Sequence, residues 1–226
     1  MSLQDAGQAH AFVTDLTAPA LGADDRHHFD RVLRLRPGAV ITVGDGEGSW
    51  RTCRYGGELE PIGPVTYQGP LEPELGVAFA LVKGDRPELV VQKLTELGID
   101  VIVPFVAQRS VVRWDAERSA RHHERLTRVA REAAMQSRRA RLPTVEPLAG
   151  FADVAARPGA AMATLGGQNL DVMCHRLLLV GPEGGWSPEE LESPPPRVGL
   201  GNYVLRSETA AIAAGALMTA ARGRFI

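Results

Sequence analysis

The chain has 226 residues, 44% of them hydrophobic, and a formal net charge of -2 at pH 7. This composition supports a sizeable core in one or two domains and excludes a strong overall attraction to nucleic acid, so any basic contact surface must be local. No apolar run approaches the roughly 18 residues of a membrane-spanning helix, and the first residues lack the plan of a signal peptide. Neither Cys53 nor Cys174 has a CxxC neighbour or a nearby set of His and Cys ligands, which argues against zinc and disulfides. We therefore expect a cytoplasmic protein without a metal site.

The first third of the chain predicts a small β-rich unit. Residues 39–43 (AVITV) and 49–55 (SWRTCRY) are predicted to be strands, and the intervening GDGEG predicts a hairpin turn. A nucleotide-binding loop is the alternative for GDGEG, but the spacing is not GxGxxG and no helix follows, which favours the turn. A short helix is expected at 27–35, and the prolines and glycines of 61–76 predict the end of this unit and a linker.

The rest of the chain alternates strands with helices, which indicates an α/β domain with a mostly parallel sheet. The predicted strands are residues 77–82, 99–105, 160–165, 177–180 and 197–201. The predicted helices begin near Asp85, near residue 116, at Pro188 and after Ser207. Gly98 stands where a left-handed C-terminal cap of the first of these helices belongs. We place the domain boundary between residues 73 and 74, which gives domains 1–73 and 74–226.

A glycine-rich turn, Gly181-Pro182-Glu183-Gly184-Gly185, directly follows the apolar strand 177–180. Ligands bind beyond the carboxyl ends of parallel strands, and glycine lets the backbone approach a ligand closely. Ser187, Pro188 and Glu190 predict an N-cap, a first helical residue and a capping box, so we expect a stiff turn. The turn lacks the lysine of a P-loop and carries a carboxylate, which favours a cationic or neutral ligand over phosphate. GPEGG alone is equally consistent with a purely structural turn.

A second turn, within GLGNYVLRSETA at residues 199–210, follows the last predicted strand. The helix after it is rich in alanine and glycine and is expected to be buried, with Ser207 as its N-cap. Arg206 and Glu208 lie beside a strand end, where charges are costly unless they are paired or used. Two such turns, both after apolar strands, predict one shared pocket.

With both turns considered together, the chain resembles the RsmE-type SPOUT methyltransferases. The motifs that carry the resemblance are LLLVGPEGG, LG-x-x-VLRSETA, HHFDRVLRLRPG at 27–38, the segment 81–105, and QSRR at 136–139. The chain departs from the family at Asn202-Tyr203, where a basic residue is common, and in the short segment 192–197. The resemblance implies a PUA-like β-barrel N-terminal domain and a C-terminal SPOUT α/β domain with a trefoil knot, paired as a homodimer.

For the activity, the resemblance implies S-adenosylmethionine as methyl donor and N3 of a uridine in 16S ribosomal RNA of the small subunit as acceptor. The cofactor-binding residues that it implies lie in the two turns and at the ends of two strands. They are Leu165, Val180, Gly181, Pro182, Glu183, Gly184, Gly185, Leu200, Gly201, Val204, Leu205 and Arg206.

Three charged residues are candidates for catalysis. N3 of uracil must lose a proton to become nucleophilic, so the site needs a base or a cation that stabilises the resulting anion. Arg206 is the candidate cation, and Glu208 or Glu183 would position Arg206 or accept the proton. A structural arginine–glutamate pair explains the same residues equally well. A fixed carboxylate against the sulfonium would oppose methyl transfer, so we do not assign Glu183 as the partner of the sulfonium.

Two groups of arginines are candidates for RNA contacts, because the planar guanidinium group suits phosphate. The first group, on the N-terminal unit, is Arg31, Arg34 and Arg36. The second group is Arg109, Arg113, Arg138, Arg139 and Arg141. For the arginines at 118, 121, 125 and 128, a solvated helix face is favoured.

Two other functions remain open on the sequence. A SPOUT enzyme that methylates the ribose 2′-OH would share the cofactor fold, although HHFDRVLRLRPG favours base methylation. A non-catalytic RNA-binding protein is disfavoured because the glycines of both turns are present.

Overall fold

Two separate β-sheets organise the chain in a computed structural model that describes residues 2–82, 84, 86–112 and 114–223. Each sheet belongs to one of two units. The first unit comprises the residues up to Pro70 and Arg131–Leu142, and the second comprises Leu71–Ala130 and the residues from Pro143 onward. The first unit thus includes the end of a long helix whose earlier residues belong to the second unit. A single cut in the sequence therefore does not separate the two units. The domain boundary between residues 73 and 74 stays a prediction.

The sheet of the first unit contains the predicted hairpin. Its strands are β1 (His10–Phe12), β2 (Val40–Gly44), β3 (Ser49–Arg54), β4 (Glu60–Pro61) and β5 (Thr66–Tyr67). Strands β2 and β3 are antiparallel, which confirms the turn interpretation of GDGEG. Strand β1 lies parallel to β2, and β4 and β5 pair with β3. The predicted helix is present but begins earlier than expected, as α1 (Ala23–His27) followed by a π turn (His28–Val32).

Aromatic packing fixes this helix to the sheet of the first unit. Phe29 is buried edge-on against Tyr55, with 5.8 Å between the ring centroids, in one apolar cluster with Ile41 and Cys53. The hydroxyl of Tyr55 donates a hydrogen bond to Asp30 at 2.6 Å. Phe29 and Asp30 therefore attach this helical segment to the sheet.

The second unit is built on a parallel sheet, as the alternation of strands and helices predicted. Its strands are β6 (Gly76–Ala80), β7 (Val101–Val106), β8 (Thr144–Val145), β9 (Ala149–Gly150), β10 (Ala160–Gln168), β11 (Leu177–Val180) and β12 (Arg197–Val198). The strand order is β12-β10-β11-β6-β7-β8, with β9 also beside β7. All strand pairs of this sheet within the described residues are parallel.

Four of the remaining five helices in the described part of the chain begin close to the predicted positions, and the short helix at residues 151–155 was not predicted. The five helices are α2 (Arg86–Leu97), α3 (Ala116–Gln136), α4 (Phe151–Ala155), α5 (Pro188–Leu191) and α6 (Ser207–Arg222). Helix α2 is followed by Gly98, whose φ of +93° is the left-handed conformation that glycine adopts without strain. Helices α2 and α6 pack closely because α6 carries small residues; a Cβ on Gly215 would lie 2.6 Å from Leu94. Within the described ranges, no helix has the length and apolar character that crossing a membrane requires.

The order of the strands positions the functional site. Strands β12, β10 and β11 are adjacent and parallel, so their carboxyl ends lie at one edge of the sheet. The GPEGG turn follows β11 and the second glycine turn follows β12. Both turns are therefore brought to the same edge, as expected for a ligand site of an open parallel sheet.

Candidate functional site

A cavity of about 620 Å³ lies at this edge of the sheet, and both glycine turns contribute to its wall. Ten of the twelve predicted cofactor-binding residues line it. They are Leu165, Val180, Gly181, Pro182, Glu183, Gly185, Leu200, Gly201, Val204 and Leu205. The cavity is thus the shared pocket that the two turns predicted.

The other two predicted cofactor-binding residues are not among those that line the cavity. The carbonyl of Gly184 accepts a hydrogen bond from Arg109 at 3.1 Å, and Gly184 borders a separate small pocket with Arg109. Arg206 is exposed at the N-cap of α6.

The start of the GPEGG turn is packed against an aromatic side chain. A Cβ on Gly181 would lie 2.9 Å from the indole of Trp186, so a larger residue would displace the ring. The indole N–H of Trp186 donates to the carbonyl oxygen of Ala163 at 3.0 Å, and the ring stacks on Phe105 with 6.1 Å between the centroids. The glycine is needed here for close approach within the protein.

The end of the GPEGG turn is fixed by the predicted capping box. The Ser187 side chain accepts a hydrogen bond from the Glu190 backbone N–H at 3.1 Å, and the Glu190 carboxylate accepts one from the Ser187 N–H at 2.8 Å. Glu190 is buried, and its second oxygen accepts a hydrogen bond from the Gln108 N–H at 2.8 Å. A buried carboxylate with both oxygens bonded ties this turn to the segment after β7.

The two glycine turns are joined directly to each other. The hydroxyl of Ser207 donates a 2.7 Å hydrogen bond to the carbonyl oxygen of Gly181. The prediction of Ser207 as N-cap was wrong, since Arg206 occupies the N-cap and Ser207 is the first residue of α6. The Ser207 side chain, which was predicted to cap the helix, instead donates its hydrogen bond to the GPEGG turn.

A third wall was largely missed by the sequence analysis, which identified only Leu165 from it. It is the end of β10, and the missed residues that line the cavity are Ala163, Thr164, Gly166, Gly167 and Gln168. A Cβ on Gly167 would lie 2.5 Å from the backbone of Val198, so this glycine lets β10 and β12 meet. The Gly166-Gly167 pair after a predicted strand was the available signal.

The two predicted carboxylates share one partner, Arg86, that the sequence did not predict. Arg86, at the start of α2, forms an ion pair with Glu183 of the GPEGG turn. Its Nε lies 3.7 Å from Oε1 of Glu208 on α6. Oε2 of Glu208 is buried without a hydrogen-bond partner in the described residues. Neither carboxylate is paired with Arg206 in the described part of the chain, contrary to one of the expectations for them.

Comparisons with known proteins assign the chain to a family. A family model described as an RNA methyltransferase domain matches residues 70–219, and one described as an RNA methyltransferase PUA domain matches residues 21–58. The chain belongs to the RNA methyltransferase family. The predicted α/β class with a PUA-like N-terminal domain is confirmed by these matches.

Named relatives of this RNA methyltransferase are similar over most of its length. Ribosomal RNA small subunit methyltransferase E of Mycobacterium bovis is 34% identical over 231 residues, which cover 89% of this chain and 88% of that protein. Among solved structures, a probable rRNA-methyltransferase from Porphyromonas gingivalis superposes with a TM-score of 0.80 at 26% identity, covering 97% of this chain and all of that one.

A third relative was solved with a ligand. The small subunit methyltransferase E of Neisseria gonorrhoeae, bound to S-adenosyl methionine, has a TM-score of 0.76 at 27% identity and covers 94% of this chain and 97% of that one. These relatives support the resemblance that the sequence motifs indicated.

The arginines predicted to contact RNA have different environments in this RNA methyltransferase. Arg31, Arg34 and Arg36 are exposed on the first unit. Arg138 is half-buried in the same unit and donates hydrogen bonds to the carbonyl oxygens of Gln4 and Gln8. Arg139 and Arg141 are also half-buried, and Arg141 donates a hydrogen bond to the carbonyl oxygen of Glu47.

The other arginines belong to the second unit. Arg109 is exposed beside Gly184, and Arg113 lies outside the described residues. The arginines at positions 118, 121, 125 and 128 of α3 are exposed, which confirms the solvated face predicted for them. Arg125 forms an ion pair with Glu88 of α2 at 2.9 Å.

Proposed function

We propose that this RNA methyltransferase transfers a methyl group from S-adenosylmethionine to N3 of a uridine in small-subunit ribosomal RNA. The observation that carries the proposal is the single cavity closed by both glycine turns in a chain of this family. The names of the relatives support ribosomal RNA of the small subunit as substrate, and the relative bound to S-adenosyl methionine supports the donor. N3 of uridine follows from the resemblance to the RsmE-type family.

The residues of the cavity fit this donor. The volume of about 620 Å³ lies within the roughly 300–1,000 Å³ of small-molecule sites. The wall combines apolar side chains with glycine backbone, which offers hydrogen-bonding groups close to a ligand. Thr164 also lines the cavity, and its buried hydroxyl oxygen has no hydrogen-bond partner in the described residues.

We assign donor binding to the predicted cofactor-binding residues that line the cavity, together with Thr164. When bound, the donor supplies an electrophilic methyl group on a sulfonium. Because methyl transfer is an in-line displacement, the main task of these residues is to position the donor. Gly184 and Arg206 do not line the cavity, so we do not assign them to donor binding.

For the acceptor to react, N3 of uracil must lose its proton. We assign Arg206 to stabilising the anion spread over O2 and O4, because its charge is exposed beside the cavity wall at Leu205. Its guanidinium has no hydrogen bond or ion pair within the described part of the chain and is available to substrate. Of the two carboxylates, Glu183 is paired with Arg86, whereas Glu208 retains an unpartnered oxygen. We assign neither carboxylate as the proton acceptor, because Glu208 does not line the cavity and its unpartnered oxygen is buried.

Three further expectations accompany this function. Arg31, Arg34 and Arg36 would contact RNA phosphates through exposed guanidinium groups. Arg138 is bonded to backbone carbonyls, so a structural role accounts for it without RNA. A homodimer, a trefoil knot and a cytoplasmic location follow from the family and the substrate class and stay predictions.

The proposal is tested by nucleoside analysis of small ribosomal subunits incubated with the protein and S-adenosylmethionine. Mass spectrometry is expected to find N3-methyluridine at one position. Methylation at the ribose 2′-OH would instead support the alternative SPOUT activity. Calorimetry without any heat of donor binding, together with no methyl transfer, would support a non-catalytic RNA-binding protein.

The role of Arg206 is tested separately. Arg206→Ala is expected to bind the donor with unchanged affinity and to lose methylation by about 100-fold, typical of removing a charge-stabilising group. Arg128→Ala, on the exposed face of α3, is the matched control. Full turnover in Arg206→Ala would remove this residue from the mechanism.

A further inference from the structure

The ion pairs of Arg86 join three elements at the cavity. Arg86 belongs to the first turn of α2, Glu183 to the GPEGG turn, and Glu208 to the first turn of α6. The side chains of Arg86 and Glu183 are 36% and 44% exposed, whereas that of Glu208 is 14% exposed. Half-exposed ion pairs contribute little to the stability of a fold, so stability alone gives no strong reason for this arrangement.

The position of Glu183 gives a chemical reason. Glu183 lines the cavity, and an unpaired carboxylate there would attract a sulfonium. The sulfonium charge disappears as the methyl group leaves and a neutral thioether remains. An unpaired carboxylate would therefore stabilise the bound donor more than the transition state, which lowers the rate of transfer. Pairing with Arg86 removes this charge from the wall.

We propose that Arg86 is a positioning residue that neutralises Glu183 and holds its carboxylate in an ion pair, so that the cavity takes a cationic donor without a counterion. This inference rests on the proposed function, since it assumes that S-adenosylmethionine binds in the cavity. The glycine backbone that GPEGG contributes remains to hold the donor. Glu183 is the partner of Arg86, and their ion pair fixes the GPEGG turn relative to α2.

The inference predicts a specific change in selectivity between two ligands that differ in charge. The test measures the dissociation constants of S-adenosylmethionine, which carries the sulfonium, and of S-adenosylhomocysteine, its neutral thioether product, by calorimetry. Arg86→Gln frees Glu183, so we expect the preference for the cationic ligand to rise about tenfold, as one nearby uncompensated charge allows. The turnover number is expected to fall while the melting temperature changes little.

A purely structural role would give a different pattern. If Arg86 only supports the turn, Arg86→Gln weakens both ligands equally and leaves their ratio unchanged, which contradicts the inference. The double variant Arg86→Gln/Glu183→Gln is expected to restore the wild-type ratio. Arg125→Gln is the matched control, because it breaks another partly exposed ion pair between α2 and a second helix. A similar shift in that control would also overturn the inference.

A second variant and the wild-type protein complete the test. Should Arg86→Gln fail to fold, Glu183→Gln in the wild-type background is measured, and its ligand ratio is expected to change less than about twofold, since the charge it removes is already neutralised. A large loss of preference for the cation would show that the paired Glu183 acts as a counterion and would refute the inference. If the wild-type protein binds neither ligand, the proposed function fails instead.

Discussion

The two glycine turns of the cavity are similar in composition and differ in how they are held. GPEGG lies between the buried strand β11 and the capping box of α5, with Trp186 against Gly181 and Glu190 bonded to Gln108. The second turn follows the two-residue strand β12, and its residues 201–206 are all exposed. Tyr203 and Val204 are 83% and 86% exposed. The stiffness of a glycine turn therefore comes from its neighbours and not from its glycines.

This difference indicates separate roles for the two walls of the cavity, one in stability and one in binding. The wall formed by GPEGG is held in place by the protein alone, whereas the wall formed by the second turn has apolar side chains that only a ligand or a partner would cover. The hydrogen bond from Ser207 to Gly181 connects the held wall to the exposed one. Substitutions in the first turn should therefore affect stability, and those in the second should affect binding.

The largest expected effect on stability is at Glu190. Glu190→Ala removes the acceptor of the N–H groups of Gln108 and of the buried Ser187, which is expected to lower the free energy of unfolding by about 3 kcal/mol. Urea denaturation monitored by circular dichroism measures the change. Glu192→Ala, an exposed position at the end of the same helix, is the control. A loss below about 0.5 kcal/mol would show that the first turn does not depend on this carboxylate.

The next largest effect is expected where the second turn joins the sheet. In Gly167→Ala the new Cβ meets the backbone of Val198 at 2.5 Å, and such overpacking costs about 2 kcal/mol. Donor affinity should fall as well, because Gly167 lines the cavity. Gly57→Ala is the control, since a Cβ there has no neighbour within 4 Å. Equal stability of the two variants would contradict the close contact of β10 and β12.

A smaller effect is expected at the bond between the turns. Ser207→Ala removes one hydroxyl-to-carbonyl hydrogen bond of 2.7 Å and should cost about 1 kcal/mol. Ser137→Ala removes a bond of the same type and length to Ala133, away from the cavity. We expect similar losses of stability from both, with weaker donor binding only in Ser207→Ala. Equal donor affinities by calorimetry would show that the bond does not couple the walls.

The smallest effect on stability is expected at Tyr203. Because its side chain is 83% exposed, Tyr203→Ala should change the free energy of unfolding by less than about 0.5 kcal/mol. Its side chain lines the cavity, so donor affinity should nevertheless fall a few-fold. If Tyr203→Ala lowered the free energy of unfolding by more than the free energy of donor binding, the comparison between the two turns would be reversed.

The sequence predicted those features that depend on local patterns. The strands β7 and β11, the capping box of Ser187 and Glu190, and the left-handed Gly98 all follow from short-range chemistry. The two turns were predicted to share a pocket because parallel strands end at one edge of their sheet.

The features that the sequence did not predict depend on partners distant along the chain. Arg86 is 97 residues from Glu183, and no local pattern pairs them. Ser207 has the composition of an N-cap, but its hydroxyl bonds to Gly181, 26 residues away. Arg138 was selected for its charge alone, and charge does not distinguish an arginine for RNA from one that donates to the carbonyls of Gln4 and Gln8.

Trp186 places an intrinsic fluorophore in the wall of the cavity. The chain has three tryptophans, and Trp186 is the only one among the described residues that line the cavity. Its ring stacks on Phe105 and lies close to Gly181, so the polarity around the indole changes when solvent in the cavity is replaced. With Trp50 and Trp114 converted to phenylalanine, intrinsic fluorescence would follow the filling of the cavity in real time, without a label.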